Sequence, residues 1–487
     1  MGTVHHFPGP RKPTGRGLEA ELADALRRAV DAKVGEAATF ADREAAALAL
    51  ANEATRRFLQ DDLEAIAKSH GAQVEMDGRI YQRHEPGTVR YYTLCGLLDI
   101  ERWTYREVGV RNGPTIVPLD LEAGLVEQAT PALGFRVALG YAKDHMRSCE
   151  EDLRADHRCP PSRSTLERMA KAIGREAKQA APRIEPRLRR AEPVPEGAVA
   201  IALGLDRTAV PMEEVISGDE VPATRRKARR RPYTRKQPDP VTVNYRMAYI
   251  GTLSFHDAEG QLLASRCYTA AAHESPVDRV VRPLMADLRQ ALSTAPPLVV
   301  GLIQDGAPEL WNLLRPAVLA EPRVGTCYEA IDRYHVNERL GEILHAIEPD
   351  AATRSARLSA WNDSLDRNDK AIYRIREEIR AAHAKARADK DQRVCDLLDP
   401  HVTYFENNAY LMQYARLRTA GLPVGSGVTE GACKSVIQMR TNGSGQRWRP
   451  EGLEAVLTLR AVHLSDRLPR FWANFAGAYR KEVRQCA

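Results

Sequence analysis

The segment Val199–Ala209 reads VAIALGLDRTA, and its pattern decides the fold of the region that follows. Large and small side chains alternate along it, so in a β-strand the large ones share one face of a sheet: Val199, Ile201, Leu203 and Leu205. Asp206 falls on the opposite face with Ala202 and Gly204, in a stretch too apolar for an ordinary solvated acid. The segment therefore predicts a buried strand that carries an unusual carboxylate.

Further β-rich segments follow, with helical segments between them. The predicted strands are Val241–His256, Gln261–Thr269, Leu298–Gln304 and Val324–Ile331, and the predicted helices are Val277–Leu292 and Pro308–Leu319. Three consecutive strands followed by alternating helices and strands are typical of an α/β sheet with mixed strand order.

The N-terminal region has a different pattern. Apolar side chains recur at helical spacing over Leu18–Val30 and again over Phe58–Ile66, which predicts an interacting helix pair with both stripes in its core. The β-like segments Thr88–Leu94 and Asp99–Glu107 follow, and the short break between them predicts a β-hairpin.

A helical pattern then runs with breaks over residues 121–190. Within it, a polar turn precedes Ser164, and Glu167 three residues later completes a capping-box signature. A short helix, a turn and a capped helix with Arg163 and Arg168 are compatible with a DNA-reading helix-turn-helix. A helical hairpin that does not contact DNA is the alternative.

Composition shifts divide the chain further. Ala191–Gly197 (AEPVPEG) is a proline-rich linker, and Gly421–Gly427 is a second flexible segment, after a wholly helical block. We expect five regions: an N-terminal helical region (1–80), a β-hairpin and helix-turn-helix-like region (81–192), the first part of an α/β core (193–334) with a basic insertion (216–239), an all-helical insertion (335–420) and the second part of the core (421–487).

Positive charge is concentrated in one strip. The net charge is +6, yet Arg225–Lys236 (RRKARRRPYTRK) contains eight cations and no acid, so the rest of the chain is net negative. The cations are Arg225, Arg226, Lys227, Arg229, Arg230, Arg231, Arg235 and Lys236. Such strips bind polyanions, usually nucleic acid; a solvated linker without a partner is the alternative.

Several classes of protein are disfavoured by the sequence. No apolar stretch approaches the ~20 residues that span a bilayer, and the N-terminus lacks the apolar part of a signal peptide. Eight scattered cysteines without a CxxC pair are typical of reduced thiols in the cytoplasm. There is no GxxxxGK[ST] motif, so no nucleotide cofactor is expected.

Three acids stand where chemistry could occur. Asp206 lies in the first apolar strand, Asp305 ends another, and Glu430 falls in the first turn of a helix after the glycine-rich segment. Each also has a plain explanation, since Asp-Gly is a turn dipeptide and a helix N-terminus favours a carboxylate. A cluster of all three would repel itself unless it holds cations, and carboxylates are the ligands of Mg²⁺ or Mn²⁺.

Several short blocks of the sequence are similar to those of a known protein family. Residues 305–314 read DGAPELWNLL, 331–335 read IDRYH, 421–434 read GLPVGSGVTEGACK, 445–448 read GQRW and 455–461 read AVLTLRA. In this order they resemble bacterial insertion-sequence transposases of the DDE class, most closely the Kra-type (ISKra-like) group. The resemblance extends from about Pro193 to the C-terminus and is loose before it.

This resemblance implies an RNase H-like α/β catalytic core with an all-helical insertion, preceded by a mainly helical region with a β-hairpin and a helix-turn-helix. Asp206, Asp305 and Glu430 would be the catalytic residues and the ligands of two Mg²⁺ or Mn²⁺ ions. The helical block 335–420 accounts for the long separation of the last two acids. The basic insertion has no counterpart in the family pattern.

Other residues of these blocks allow two interpretations each. Asp332 and His335 resemble the C/D-x-x-H motif of related transposases, where they lie near the site or DNA, or form a structural turn. Lys434 holds a phosphate or pairs with Glu430 one helical turn away. Trp448 is a core residue or stacks on an unpaired base.

The expected function is therefore that of a DNA transposase. It would bind double-stranded DNA at terminal inverted repeats and at a target, as a homodimer or higher oligomer, and catalyse metal-dependent strand cleavage and strand transfer. The expected location is the bacterial cytoplasm, at the nucleoid. An RNase H-like nuclease, or a domesticated DNA-binding regulator without catalysis, are the alternatives.

The basic strip generates the first testable prediction. If all eight cations neutralise phosphates, they contribute up to about 7 units to the slope of log K against log salt concentration. Replacing Arg225–Lys236 by Gly and Ser should weaken binding to all DNA sequences alike and flatten that slope, measured by fluorescence anisotropy. An unchanged slope would show that the strip is a linker.

Overall fold

The computed structural model describes residues 17–35, 37–111, 113–216, 240–294 and 297–486. The basic strip Arg225–Lys236 lies outside these residues. The chain forms two compact units, one made of Met1–Ile173 with Asn474–Ala487 and the other of Gly174–Ala473. Among the described helices, none combines the length and the apolar character needed to cross a membrane.

The first unit combines helices with an antiparallel sheet. Its helices are α1 (Leu18–Lys33), α2 (Phe40–Ser69), α3 (Pro118–Glu122), α4 (Pro131–Lys143) and α5 (Met146–Ala155), and α6 (Arg163–Ala191) begins in it. Its strands are β1 (Gln73–Met76), β2 (Arg79–Thr93), β3 (Gly96–Glu107), β4 (Thr115–Ile116) and β10 (Arg484–Gln485), in the order β10-β1-β2-β3-β4. The predicted hairpin is confirmed: β2 and β3 pair out to Thr93 and Gly96, and Gly96 adopts a φ of 125° at the turn.

The N-terminal helix pair is also present, but the predicted stripes do not form its core throughout. Val30 and Leu63 are buried as expected. Leu18, Leu22 and Phe58, by contrast, are 72%, 61% and 66% exposed. The periodicity of apolar residues located both helices correctly. The prediction that these three side chains are core residues was wrong, because other parts of the protein cover only part of each helix's apolar surface.

The region of the predicted helix-turn-helix contains α5, a loop and the start of α6. The capping box is wrong, since α6 begins at Arg163 and Ser164 lies inside its first turn. Ser162 precedes the helix: its carbonyl accepts the first helical bond, from Leu166 N, and its hydroxyl lies 3.1 Å from the hydroxyls of Ser164 and Thr165. Arg163 and Arg168 are exposed at the start of the helix, and Arg168 forms an ion pair with Glu127 at 3.5 Å.

The second unit is built on a mixed five-stranded sheet, so the predicted α/β character is confirmed. Its strands are β5 (Ala200–Val215), β6 (Val241–His256), β7 (Leu262–Ala270), β8 (Val299–Gln304) and β9 (Cys327–Ile331). The order is β7-β6-β5-β8-β9, with β6 antiparallel to both its neighbours and β8 and β9 parallel to β5.

Helices cover this sheet and continue in a block after it. A π-helical turn (Val277–Val281) leads into α7 (Arg282–Thr294), and α8 (Pro308–Leu319) follows β8. The helical block contains α9 (Arg333–Ile347), α10 (Ala351–Arg367), α11 (Ala371–Ala388), α12 (Gln392–Asn408) and α13 (Tyr414–Thr419). The final helices are α14 (Gly427–Ala432), with a π-helical extension (Cys433–Gln438), α15 (Met439–Thr441), α16 (Pro450–Leu464) and α17 (Leu468–Tyr479).

The two faces of β5 meet different partners, as their alternation predicted. The face of large side chains packs toward α7: Gly251, opposite Leu205, leaves room for Leu284. The face of small side chains receives α14. A Cβ atom on Gly204 would lie 2.5 Å from the Thr429 hydroxyl oxygen and 2.7 Å from the Ile303 carbonyl oxygen.

This close approach predicts the effect of one methyl group. Gly204→Ala should displace α14 or strain β5, and we expect it to destabilise the protein by about 1–3 kcal/mol, measured by denaturant unfolding. Gly341→Ala is the matched control, because Gly341 lies within α9 and a methyl group added there would meet no described atom within 4 Å beyond its own helix. It should stabilise the protein by up to about 1 kcal/mol. Equal effects of the two substitutions would contradict this account.

Candidate metal centre

Strand register brings three aspartates to one edge of the sheet of the second unit. Ala202 pairs with Gly301 in the parallel β5–β8 ladder, which ends at Leu203 and Leu302, and Asp206 and Asp305 each follow three residues beyond that end. Gln304 pairs with Ile331 in the β8–β9 ladder, so Asp332 follows beside Asp305, and Asp332 N donates to Gln304 O at 2.8 Å. The three aspartates therefore lie at the same edge of the sheet, at the ends of three adjacent strands.

Glu430 reaches this row from α14. Its backbone N donates to Ser426 O at 2.9 Å, which fixes it in the first turn of the helix. The Ser426 hydroxyl lies 2.7 Å from Asp332 Oδ2 and 2.9 Å from Glu430 Oε1. A hydroxyl has one proton to donate, so a second proton on one of the two carboxyl groups lets both contacts be hydrogen bonds.

The electrostatics of this pair agree with a shared proton. Burial, and then the hydrogen-bonded Asp332 carboxylate, raise the pKa of Glu430. Burial acts in the same direction on Asp332, but hydrogen bonds from Ser426 and Glu430 outweigh it and hold the pKa of Asp332 below its usual value. Of the two, Glu430 is therefore the carboxyl group that takes up a proton first as the pH falls.

Asp206 lies deeper in the same pocket. Burial raises its pKa and the Asp305 carboxylate adds to the shift, while a 2.6 Å hydrogen bond from Arg207 N opposes it. The Cys433 thiol also donates to Asp206. Burial and the Asp206 carboxylate in turn raise the pKa of that thiol far above its usual range, so Cys433 acts as a neutral donor.

Asp305 has both of the roles that its sequence position allowed. Its Oδ1 accepts a 2.8 Å hydrogen bond from Ala307 N, which is the expected Asp-Gly turn at the start of α8. Its carbonyl oxygen accepts a 2.7 Å bond from Trp311 Nε1. The same residue lines the pocket that contains Asp206, His335 and Glu430, so the turn also presents a carboxylate to the site.

The three predicted acids thus line one pocket, and the structure adds two residues to them. Among the described residues, the ligand atoms of Asp332, His335 and Glu430 all lie within 4.8 Å of one another, close enough to hold one ion. His335 Nδ1 is 3.5 Å from Asp332 Oδ2 and 3.8 Å from Glu430 Oε1, and this nitrogen is buried with no hydrogen-bond partner in the described part of the chain. The motif suggested this position, but sequence did not predict direct contact with Glu430.

The remaining predicted residues occupy different positions. Lys434 is exposed at the pocket and, within the described part of the chain, forms no ion pair with Glu430. Trp448 is a core residue that is 9% exposed, and its Nε1 donates to Thr441 O. It does not line the pocket, so base stacking by this ring is not supported. Cys433 and Ser426, which sequence reasoning missed, lie within the same glycine-rich block that pointed to Glu430.

Comparisons with protein-family models and with curated proteins find no match to this chain. The assignment of the pocket therefore depends on its own geometry. Three carboxylates and one imidazole line it, and the buried Asp332 lies beside His335 and Glu430.

The raised pKa values predict the pH dependence of cation binding. Ions compete with protons for Asp206 and Glu430, so Mn²⁺ affinity should fall with decreasing pH, beginning above the ordinary carboxyl range. Isothermal titration calorimetry in buffers of different ionisation enthalpy should show proton release on binding. Glu430→Gln should reduce both the affinity and the proton release. An affinity that falls only below the ordinary carboxyl range would contradict the pKa shifts.

Proposed function

We propose that this chain is a DDE-type DNA transposase with an RNase H-like core. The observation that carries the proposal is the meeting of Asp206, Asp305 and Glu430 in one pocket, at the positions that the family resemblance implies. The strand order supports it, because β5 lies at the centre between the second and the fourth strands of the sheet and so places Asp206 beside Asp305.

The donor set fits hard divalent cations. Carboxylate oxygens predominate, one imidazole is added, and the unpartnered His335 Nδ1 lies among them. Asp206, Asp305, Asp332, His335 and Glu430 would together hold two Mg²⁺ or Mn²⁺ ions. When bound, such ions activate a nucleophilic oxygen and stabilise the leaving oxygen of a phosphodiester.

The other side chains of the pocket position this machinery. Ser426 and Cys433 orient Glu430, Asp332 and Asp206 by hydrogen bonds. Lys434 is exposed at the pocket, where its ammonium group can contact a phosphate of the substrate. Arg207 is held by Glu309 on α8, which leaves Asp206 without a competing ion pair.

DNA is the partner that this chemistry requires. The basic strip and the helix formed from Arg163 onward would contact double-stranded DNA, at terminal inverted repeats and at the target. The protein would act as a homodimer or higher oligomer on that DNA, in the bacterial cytoplasm. Cleavage without strand transfer would identify a nuclease, and binding without cleavage a regulator.

Alanine substitutions test the catalytic assignment. Asp206→Ala, Asp305→Ala and Glu430→Ala should each lower Mg²⁺-dependent cleavage of DNA bearing the element ends by at least ~100-fold, since loss of even an outer-shell partner costs up to that much. The effects should not be additive, because the residues act as one unit. Binding of the ends in EDTA should persist.

Substitutions of two further acids make this test more specific. Glu451→Ala is the control, because Glu451 is exposed in the first turn of α16 and should tolerate the change. Asp332→Ala should impair cleavage, since Asp332 contacts Ser426 and lies beside Glu430. A folded Glu430→Ala protein that cuts DNA at the wild-type rate would overturn the proposal.

A further inference from the structure

The strand that carries Asp206 continues well beyond the pocket. After Leu203, β5 has no further described pair with β8, but its ladder with β6 runs on from Arg207–Tyr249 to Val215–Val241. We call these two segments, 207–215 and 241–249, the arm. At about 3.3 Å per residue the arm extends on the order of 30 Å along the strand direction.

A loop is hydrogen-bonded to the edge of the arm that β5 forms. Trp448 N donates to Pro211 O at 2.9 Å, and Glu213 N donates to Trp448 O at 2.8 Å. Trp448 is buried, so this short pairing anchors the loop firmly. The preceding residues, 442–447 (NGSGQR), are thereby held against the arm.

The loop and the arm enclose a cleft with the chemistry of a phosphate site. Its described lining contains no carboxylate and consists of Pro211, Val243, Tyr245, Asn442, Gly443, Ser444, Gly445, Gln446 and Arg447. Backbone N–H groups and Asn, Ser, Gln, Tyr and Arg side chains are the donors that proteins use toward phosphate oxygens of DNA. Gly445 adopts a φ of 71°, which lets the loop turn tightly.

The charge around the cleft is positive. Arg447 and Arg449 are 55% and 70% exposed and share a single carboxylate, Glu213, at 3.5 and 2.9 Å. The chain connection that joins the two strands of the arm, residues 217–239, contains eight cations and three acids. This connection lies outside the described residues; the two residues that flank it, Ile216 and Pro240, meet at the end of the arm, where Ile216 N donates to Pro240 O at 2.9 Å.

We propose that this cleft binds a backbone phosphate of duplex DNA, and that the arm is the surface along which DNA leaves the carboxylate pocket. The arm fits this partner because it begins at Asp206 and shares a strand with it. Tyr245, 72% exposed, contacts the same phosphate or the adjoining sugar. The inference rests on the proposed function in taking DNA as the substrate.

Binding measured without metal tests the cleft apart from catalysis. The probe is a fluorescein-labelled 40-base-pair duplex of arbitrary sequence, titrated with full-length protein in EDTA at several salt concentrations. The variant Arg447→Gln/Arg449→Gln should bind more weakly and lower the salt slope by about 0.9 units for the phosphate in the cleft, and by up to about 1.8 units if Arg449 neutralises the adjacent phosphate. Tyr245→Ala should weaken binding several-fold with a smaller change in slope.

The matched control is Arg282→Gln/Arg315→Gln. These two arginines are 75% and 47% exposed and also form ion pairs, but they belong to α7 and α8, away from the cleft. The control should bind within twofold of the wild type with an unchanged slope. Circular dichroism melts of all variants should match the wild type.

The outcomes separate the cleft from the proposed chemistry. Weaker binding by the arm variants alone supports the cleft even if the wild type shows no cleavage with Mg²⁺, in which case the transposase proposal fails by itself. Wild-type affinity and slope in Arg447→Gln/Arg449→Gln, or equal losses in the control, overturn the cleft even if cleavage is observed. Failure of the wild type to bind any duplex in EDTA also overturns it.

Discussion

The packing of Thr429 against Gly204 is the contact on which the geometry of the pocket depends. Without a side chain at Gly204, α14 comes near enough to the sheet for the Thr429 and Thr252 hydroxyl oxygens to lie 2.6 Å apart. Glu430 is the next residue along, so its carboxylate is placed over the strand ends by a contact that involves no charge. The apolar face of β5 packs toward α7 and keeps the strand from tilting away.

The carboxylates in this pocket repel one another. Asp206 and Glu430 both have raised pKa values because burial and neighbouring carboxylates disfavour their charged forms. Ser426 relieves part of this by bridging Asp332 and Glu430. Hydrogen bonds from Arg207 N to Asp206 and from Ala307 N to Asp305 stabilise two further carboxylates at this sheet edge.

Much of this arrangement could be predicted from sequence, because it follows local periodicity. Alternation along Val199–Ala209 placed Asp206 on the face away from the large side chains, and the apolar run before Asp305 located a second strand end. The contact of Asp332 with Ser426 could not be predicted in the same way, because the two residues are 94 positions apart and meet only where the start of α14 packs against the end of β9. The exposure of Leu18 and Phe58 was missed for the opposite reason: periodicity reports a helix but not what covers it.

The order in which the pocket is completed during synthesis follows from the position of α14. The three sheet aspartates all precede the helical block, and Glu430 follows it. Because proteins are made from the N-terminus and domains begin to fold as they emerge, a ribosome-bound chain can pair β5 with β8 and β9 while its last acidic ligand is still unmade. An incomplete chain of this kind has the strands of the sheet but lacks Glu430, so a product truncated within the helical block cannot complete the carboxylate pocket.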